Sequence, residues 1–199
     1  MTTTTDKQIW PPYQAFYIHS MLFNSEAAVA SIEKISAVMH EVEQNSPSDP
    51  VSALPMHYLL GELQNLLIHA AALSRYFWPA RQTHDWRGTQ LRGAFGIDDQ
   101  SPLKSRDLRN AIEHFDEQLD KYVEGGIVGN IHPQYVGPRP NSNGVPLHLF
   151  RAYFIDTAEF ELLGKRYAIM PIAEAVLNIH RKLIKMDRNG SMLRSTDTT

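Results

Sequence analysis

Between Pro55 and Pro79 the chain places Tyr58, Leu59, Leu60, Leu63, Leu66, Leu67, Ala70, Leu73 and Phe77 around most of the circumference of a helix. Pro55 suits the start of that helix, because the first turn has no intrahelical use for its N–H. Pro79 ends it by pushing the preceding residue out of the helical region. A helix with so little polar surface belongs at the centre of a bundle or at an oligomer interface, and the rest of the chain must fold around it. Its polar residues Glu62, Asn65 and His69 form one stripe, flanked by Tyr58 and Tyr76. That stripe reads as an ordinary polar edge or as part of a site.

Other helices are expected beside it. Pro11 and Pro12 open a short helix within an aromatic stretch carrying Trp10, Tyr13, Phe16, Tyr17 and Phe23. At helical spacing these aromatics suit core or dimer packing, and they could also stack bases. Ser25 then reads as the N-cap of a helix to about Gln44, with Ala28, Val29, Ile32, Ile35, Met39 and Val42 in phase. Residues 45–54, with Pro47 and Pro50, read as a linker, and residues 80–100 as irregular apart from a short helix at Thr89–Phe95. Ser101 and Pro102 open a third long helix that runs to Glu124, where Gly125-Gly126 stops it. Leu108, Ile112, Phe115, Leu119 and Tyr122 are its buried seam.

Residues 126–144 read as loop. Leu147–Ile155 reads as a strand that Glu159–Leu163 and Arg166–Ile169 can pair with, through turns at Asp156-Thr157-Ala158 and Gly164-Lys165. A last helix begins near Pro171 and uses Ile172, Val176, Ile179, Leu183 and Ile184. The expected fold class is all-α: a helical bundle of four to five helices with a small C-terminal β-hairpin or sheet. It forms a single domain over residues 7–190, with disordered tails at 1–6 and 195–199.

With 199 residues, 43% of them hydrophobic, there is enough chain for one full core. A net charge of −3 is not that of a protein that coats nucleic acid non-specifically, and no DNA partner is expected. The absence of cysteine excludes thiolate nucleophiles and cysteine-ligated metals. Helical Glu-x-x-His pairs, Gly-rich phosphate loops and serine elbows are absent too, so no metal or cofactor is expected. No signal peptide and no membrane-length apolar run is read, which points to a cytoplasmic protein without a membrane partner.

The chemistry concentrates in Arg109-Asn110-Ala111-Ile112-Glu113-His114. A guanidinium grips phosphate through two parallel hydrogen bonds, and an imidazole exchanges protons near neutral pH. On an ideal helix Arg109 and His114 sit about 140° apart, so a shared phosphate requires that Arg109 swing round, that the helix be distorted, or that Arg109 come from a second subunit. The segment from Ser105 to Glu124 holds three positive and six negative residues, so a polyanion there needs help from elsewhere. Arg75, Arg81, Arg87 and Arg92, the densest basic stretch before the C-terminus, are the candidate substrate-binding residues. The alternative is a solvated helix face, in which Arg106, Asn110, Glu113, His114, Glu117 and Lys121 simply face water.

Leu108 to Glu117 resembles the signature of HEPN-domain proteins, an Arg followed four to six residues later by a His, with a polar residue straight after the Arg. Leu91–Ile97 and Leu103–Arg106 are also similar to uncharacterised members. The resemblance implies an all-helical domain, commonly a homodimer with the two motifs meeting across the two-fold axis. Active members are metal-independent RNases, and others are non-catalytic binding or assembly modules. By carry-over, Arg109 holds the scissile phosphate, Asn110 orients it and His114 transfers the proton. RNA is then the expected substrate and an antitoxin-like protein a further expected partner. The alternative function is a non-catalytic helical module that binds a protein or small ligand.

Overall fold

The computed structural model describes residues 7–45, 54–141 and 144–193, with the backbone alone at Asn45, Arg106, Leu108, Arg109 and Ala111. The expected tails, residues 1–6 and 195–199, and most of the linker lie outside the described residues. Helix α1 (Pro11–Asn45) and helix α2 (Met56–Phe77) pack along each other, and α6 (Ile169–Arg188) lies against α1. The apolar circumference of α2 has the predicted consequence: Leu59, Leu60, Leu63, Leu66, Leu67, Ala70, Leu73 and Phe77 are all buried in the core. Pro55 stands at its N-cap and Trp78 at its C-cap, as the two prolines require.

The N-terminal region is one helix of 35 residues rather than two. Nothing between Tyr13 and Asn45 breaks a helix, since that span holds neither proline nor glycine. Ser25, expected to cap a second helix, is instead fully buried inside α1. Its hydroxyl donates to the Leu22 carbonyl at 3.0 Å and accepts from His180 Nδ1 of α6 at 2.9 Å.

After α2 come a 3-10 turn (Gln82–His84) and α3 (Asp85–Phe95), four residues longer than predicted. Gly88 is where α3 crosses the end of α2; an added Cβ would sit 2.6 Å from both the Phe77 carbonyl oxygen and Pro79 Cδ. The predicted helix from Ser101 to Glu124 is in three pieces. Ser101 caps a 3-10 turn (Pro102–Lys104), α4 covers Arg106–Glu113, and α5 covers Phe115–Glu124. The break falls on His114, whose φ of −120° and ψ of 41° are non-helical. Ile112 and Phe115 pack against the core, and no residue of α5 is fully buried.

The all-α expectation is overturned by a four-stranded mixed sheet in the order β1 (Asn130–Gly137), β2 (Leu147–Phe154), β3 (Glu159–Leu162) and β4 (Lys165–Ala168). The last three strands pair antiparallel as expected, Tyr153 opposite Phe160 and Phe160 opposite Tyr167. Leu163 and Gly164 form the β3–β4 turn, both at positive φ as a type I′ hairpin requires. Strand β1, read as loop, runs parallel to β2 with Asn130 opposite Leu147. It carries Pro133 and several exposed polar residues because it is an edge strand, where alternation is weak and a missing N–H is tolerated. Gly129 has φ of +128°, and a Cβ there would collide with the Pro146 carbonyl oxygen that accepts the Asn130 N–H at 2.9 Å.

One sheet face, with Val136, Tyr153, Phe160, Leu162 and Tyr167, joins the helical core. Leu149, Ala152 and Phe154 form a smaller cluster of their own. Two polar links tie the sheet to the helices. Tyr167 donates to the Asp107 carbonyl of α4 at 3.2 Å, and burial, reinforced by the Asp107 charge, pushes its phenol up to about 12. Tyr122 of α5 donates to His148 Nδ1 at 2.9 Å, while His148 Nε2 donates to the Val128 carbonyl at 3.2 Å.

Candidate functional site

Three of the four arginines singled out from the sequence converge. Arg75 ends α2, Arg81 sits in the connection to the 3-10 turn, and Arg87 stands on α3; together with His84, Asn24 and Tyr76 they line one surface hollow of about 370 Å³. The turn after Pro79 folds the α2–α3 connection back on itself, which brings residues 75, 81 and 87 to one place. Arg87 donates through Nη2 to the Arg75 carbonyl at 2.9 Å and holds its guanidinium 5.8 Å from the centre of the Tyr17 ring. Its Nε is buried and unpartnered among the described residues. Arg81 is exposed and makes no ion pair or side-chain hydrogen bond among the described residues. Of the three arginines of the hollow it is the one with no such partner among the described residues.

Arg75 is exposed too, but forms an ion pair with Glu113, the last residue of α4. Arg92 lies apart from the hollow. It donates to the Phe77 carbonyl and, at 3.2 Å, to Thr89 Oγ1, and its guanidinium sits 5.9 Å from the Trp78 ring centre. Arg92 therefore satisfies an orphan carbonyl at the end of α2, a structural duty that its place in the basic stretch did not reveal.

Asn24 and His84 of the hollow were not singled out by sequence reasoning, and Tyr76 only as a flank of the α2 stripe, because only the pairing of α1 with α2 brings Asn24 and Tyr76 together. Tyr76 and Ser20 share a hydrogen bond of 2.5 Å, and Asn24 Nδ2 donates to the Ser20 carbonyl at 3.0 Å. Behind them, His69 Nδ1 donates to Asn24 Oδ1 at 3.2 Å, which fixes the tautomer, and burial pushes the His69 imidazole down from its ordinary value.

The polar stripe of α2 divides. His69 supports the hollow wall, whereas Glu62 is buried against α1, accepting from Ser31 at 2.8 Å and from Lys34 at 2.9 Å. Burial alone would raise the Glu62 carboxyl; the bonds from Lys34 and Ser31, with the Lys34 charge, bring it below the ordinary range. Among the described residues no three His, Cys, Asp or Glu side chains come together as a metal site would need.

The Arg109-to-His114 stretch spans α4 and its end. Asn110 and His114 are exposed. His114 Nδ1 lies 3.4 Å from the Glu117 carboxylate, one turn further on. The Arg109 side chain lies outside the described residues, so only its backbone, within α4, is placed. The break at His114 means that Arg109 and His114 do not lie on one uninterrupted ideal helix. Glu113 ties this stretch to the hollow through Arg75. Comparison with protein-family models, curated proteins and solved structures finds no match to this chain.

Proposed function

We propose that this chain binds RNA by its phosphates in the Arg75–Arg81–Arg87 hollow, and that Arg109, Asn110 and His114 cleave the strand without a metal, in the manner of active HEPN proteins. The single observation that carries the reading is the convergence of three arginines and His84 on one hollow, joined by the Arg75–Glu113 ion pair to the residue before His114. The acidic surroundings of His114 repel a polyanion, and the arginines offset that repulsion. In the cleavage step, His114 Nε2 takes the proton of a ribose 2′-hydroxyl while Glu117 holds the Nδ1 side of the ring. The 2′-oxygen attacks phosphorus as the bond to the 5′-oxygen breaks; the 5′-oxygen takes its proton from water, and His114 later returns its own to solvent, giving a 2′,3′-cyclic phosphate and a 5′-hydroxyl. Arg109 and Asn110 neutralise and orient the phosphate. A homodimer in the cytoplasm belongs to the same reading. No helix among the described residues is long and apolar enough to cross a membrane.

A second reading, a non-catalytic binding module of the same hollow, is favoured by the commitment of Arg75 to Glu113 and by the Glu117 carboxylate beside His114. Incubation of labelled mixed-sequence RNA with the protein in EDTA separates the two. The first reading expects cyclic-phosphate products from the wild type and none from Arg109→Ala or His114→Ala. Binding that Arg81→Ala weakens, without any cleavage, leaves the second reading. Neither binding nor cleavage overturns both.

A further inference from the structure

Tyr13, Phe16, Ser20, Phe23, Ala27 and Ala30 follow one another on α1 at intervals of three and four residues, the spacing of a helix–helix seam. No charged residue stands among them. Trp10, Tyr13, Phe16 and Phe23 are 59, 54, 72 and 71% exposed, and Ser20 and Ala30 are exposed as well. The aromatics are already packed into a ladder, Trp10 edge-on to Tyr13 at 4.9 Å and Tyr13 tilted against Phe16 at 6.3 Å. Its four aromatics stay more than half exposed, while Ala27 is half-buried and Ser20 also bonds Tyr76.

We propose that the stripe is the contact surface for a second copy of this chain, packed antiparallel along α1. The order of side-chain sizes carries the choice of occupant. About a two-fold axis between Met21 and Leu22, Tyr13 meets the partner's Ala30, Phe16 meets the partner's Ala27 and Ser20 meets the partner's Phe23. Every layer then sets one large side chain against a small one, which is how facing helices fill space. A parallel pairing would set Phe16 on Phe16 and Ala27 on Ala27, crowding one half and leaving the other empty.

Area and charge agree. The four aromatics leave about 500 Å² of open apolar surface per copy, taking roughly 150–250 Å² for each whole side chain. Doubled and joined by Ser20, Ala27, Ala30 and their flanks, this reaches the roughly 1,200 Å² at which stable interfaces begin. One flank of the stripe carries His19, Glu26 and Glu33. The antiparallel sense brings the partner's Glu33 toward Lys7, and the partner's Glu26 toward His19, whose Nε2 already lies 3.5 Å from Asp187 of its own chain. On the other flank Asn24 approaches the partner's Tyr17, so the two arginine hollows open side by side as one longer basic groove.

The surface is a deepening of the homodimer in the proposed function, yet its test needs no RNA. In sedimentation equilibrium the wild type is expected to dimerise at low micromolar concentration. Phe16→Glu and Phe23→Glu should each weaken dimerisation at least about 100-fold with unchanged circular dichroism, as central aromatic anchors do. The chain has no cysteine, so single-cysteine variants report register cleanly. An oxidised mixture of Phe16→Cys and Ala27→Cys should give heterodisulfide dimers, with each alone giving few. A wild type that stays monomeric, a dimer that ignores both glutamates, or homodisulfides in place of the heterodisulfide overturns the proposal. So does loss of RNA binding in Phe16→Glu with no change of mass, which makes the stripe a base-stacking platform instead. A monomer that binds RNA overturns this surface alone, whereas a dimer that binds none overturns the RNA reading alone.

Discussion

Arg75, in the last turn of the central helix α2, is ion-paired with Glu113, the residue at which α4 ends. The pair couples the basic hollow to the candidate catalytic stretch, and it also limits the hollow. With Glu113 beside it, Arg75 presents less net positive charge to an incoming phosphate than Arg81 does. Release of Arg75 is therefore the step that would raise the anion affinity of the hollow.

Glu113→Gln should make that release permanent. Both partners are partly exposed, so the loss of stability should stay below about 1 kcal/mol. RNA affinity at low salt should rise several-fold, and the salt dependence of log K should steepen by about 0.7, the share of one added phosphate contact on a single strand. Filter binding across a salt series reads both. Unchanged affinity would place the phosphates away from Arg75.

Arg81 and Arg92 should behave in opposite ways. Arg81→Ala removes an exposed cation with no partner among the described residues, so it should weaken RNA binding several-fold and leave the melting temperature alone. Arg92→Ala removes the donor to the Phe77 carbonyl and should cost about 1–2 kcal/mol of stability with little effect on binding. Thermal melts beside binding curves separate the two roles.

Gly88→Ala should destabilise the fold by about 2–3 kcal/mol, because the new methyl meets backbone at Phe77 and the ring of Pro79. A melting temperature lower by roughly 4–10 °C is the expected readout. The same change would disturb the hollow, since Pro79, Arg81 and Arg87 line it.

Acid should unfold this protein partly through Glu62. Despite burial, the bonds from Lys34 and Ser31 hold its carboxyl below its ordinary value of 4.5 in the folded state. The unfolded chain therefore binds the proton first as pH falls. The stabilisation is complete above about 4.5 and is lost on further acidification through the folded-state value. His69 acts in the same sense at higher pH: half-buried and depressed below 6.5, it favours folding above that value and less below it. Urea midpoints at successive pH values should show a shallower acid limb for Glu62→Gln. Ser31→Ala should cost about 1 kcal/mol near neutrality.

The regular elements that follow one local rule were legible. Alternation and turn chemistry located β2, β3 and β4, and apolar spacing located α2 and α6. The elements that escaped depend on distant partners. Strand β1 owes its existence to parallel pairing with β2 and to a glycine tight against Pro146, neither of which leaves a periodic mark on residues 130–137. One expectation about the N-terminal stretch changed meaning in the same way. The N-terminal aromatics have the helical spacing expected of core, yet Phe16 and Phe23 face solvent because α2 and α6 occupy the opposite side of α1.

By itself the sequence determined that α2 is the central helix, bounded by Pro55 and Pro79, because apolar residues around a whole helix leave burial as the only favourable outcome. It also nominated the arginines. Only the tertiary structure decided that Arg75, Arg81 and Arg87 share a hollow, that Arg92 caps α2 instead, and that the predicted third helix breaks at His114. Local periodicity sets which face of a segment is apolar. Which faces then meet is settled by long-range packing, where a carbonyl in need of a donor competes for an arginine as effectively as a ligand does.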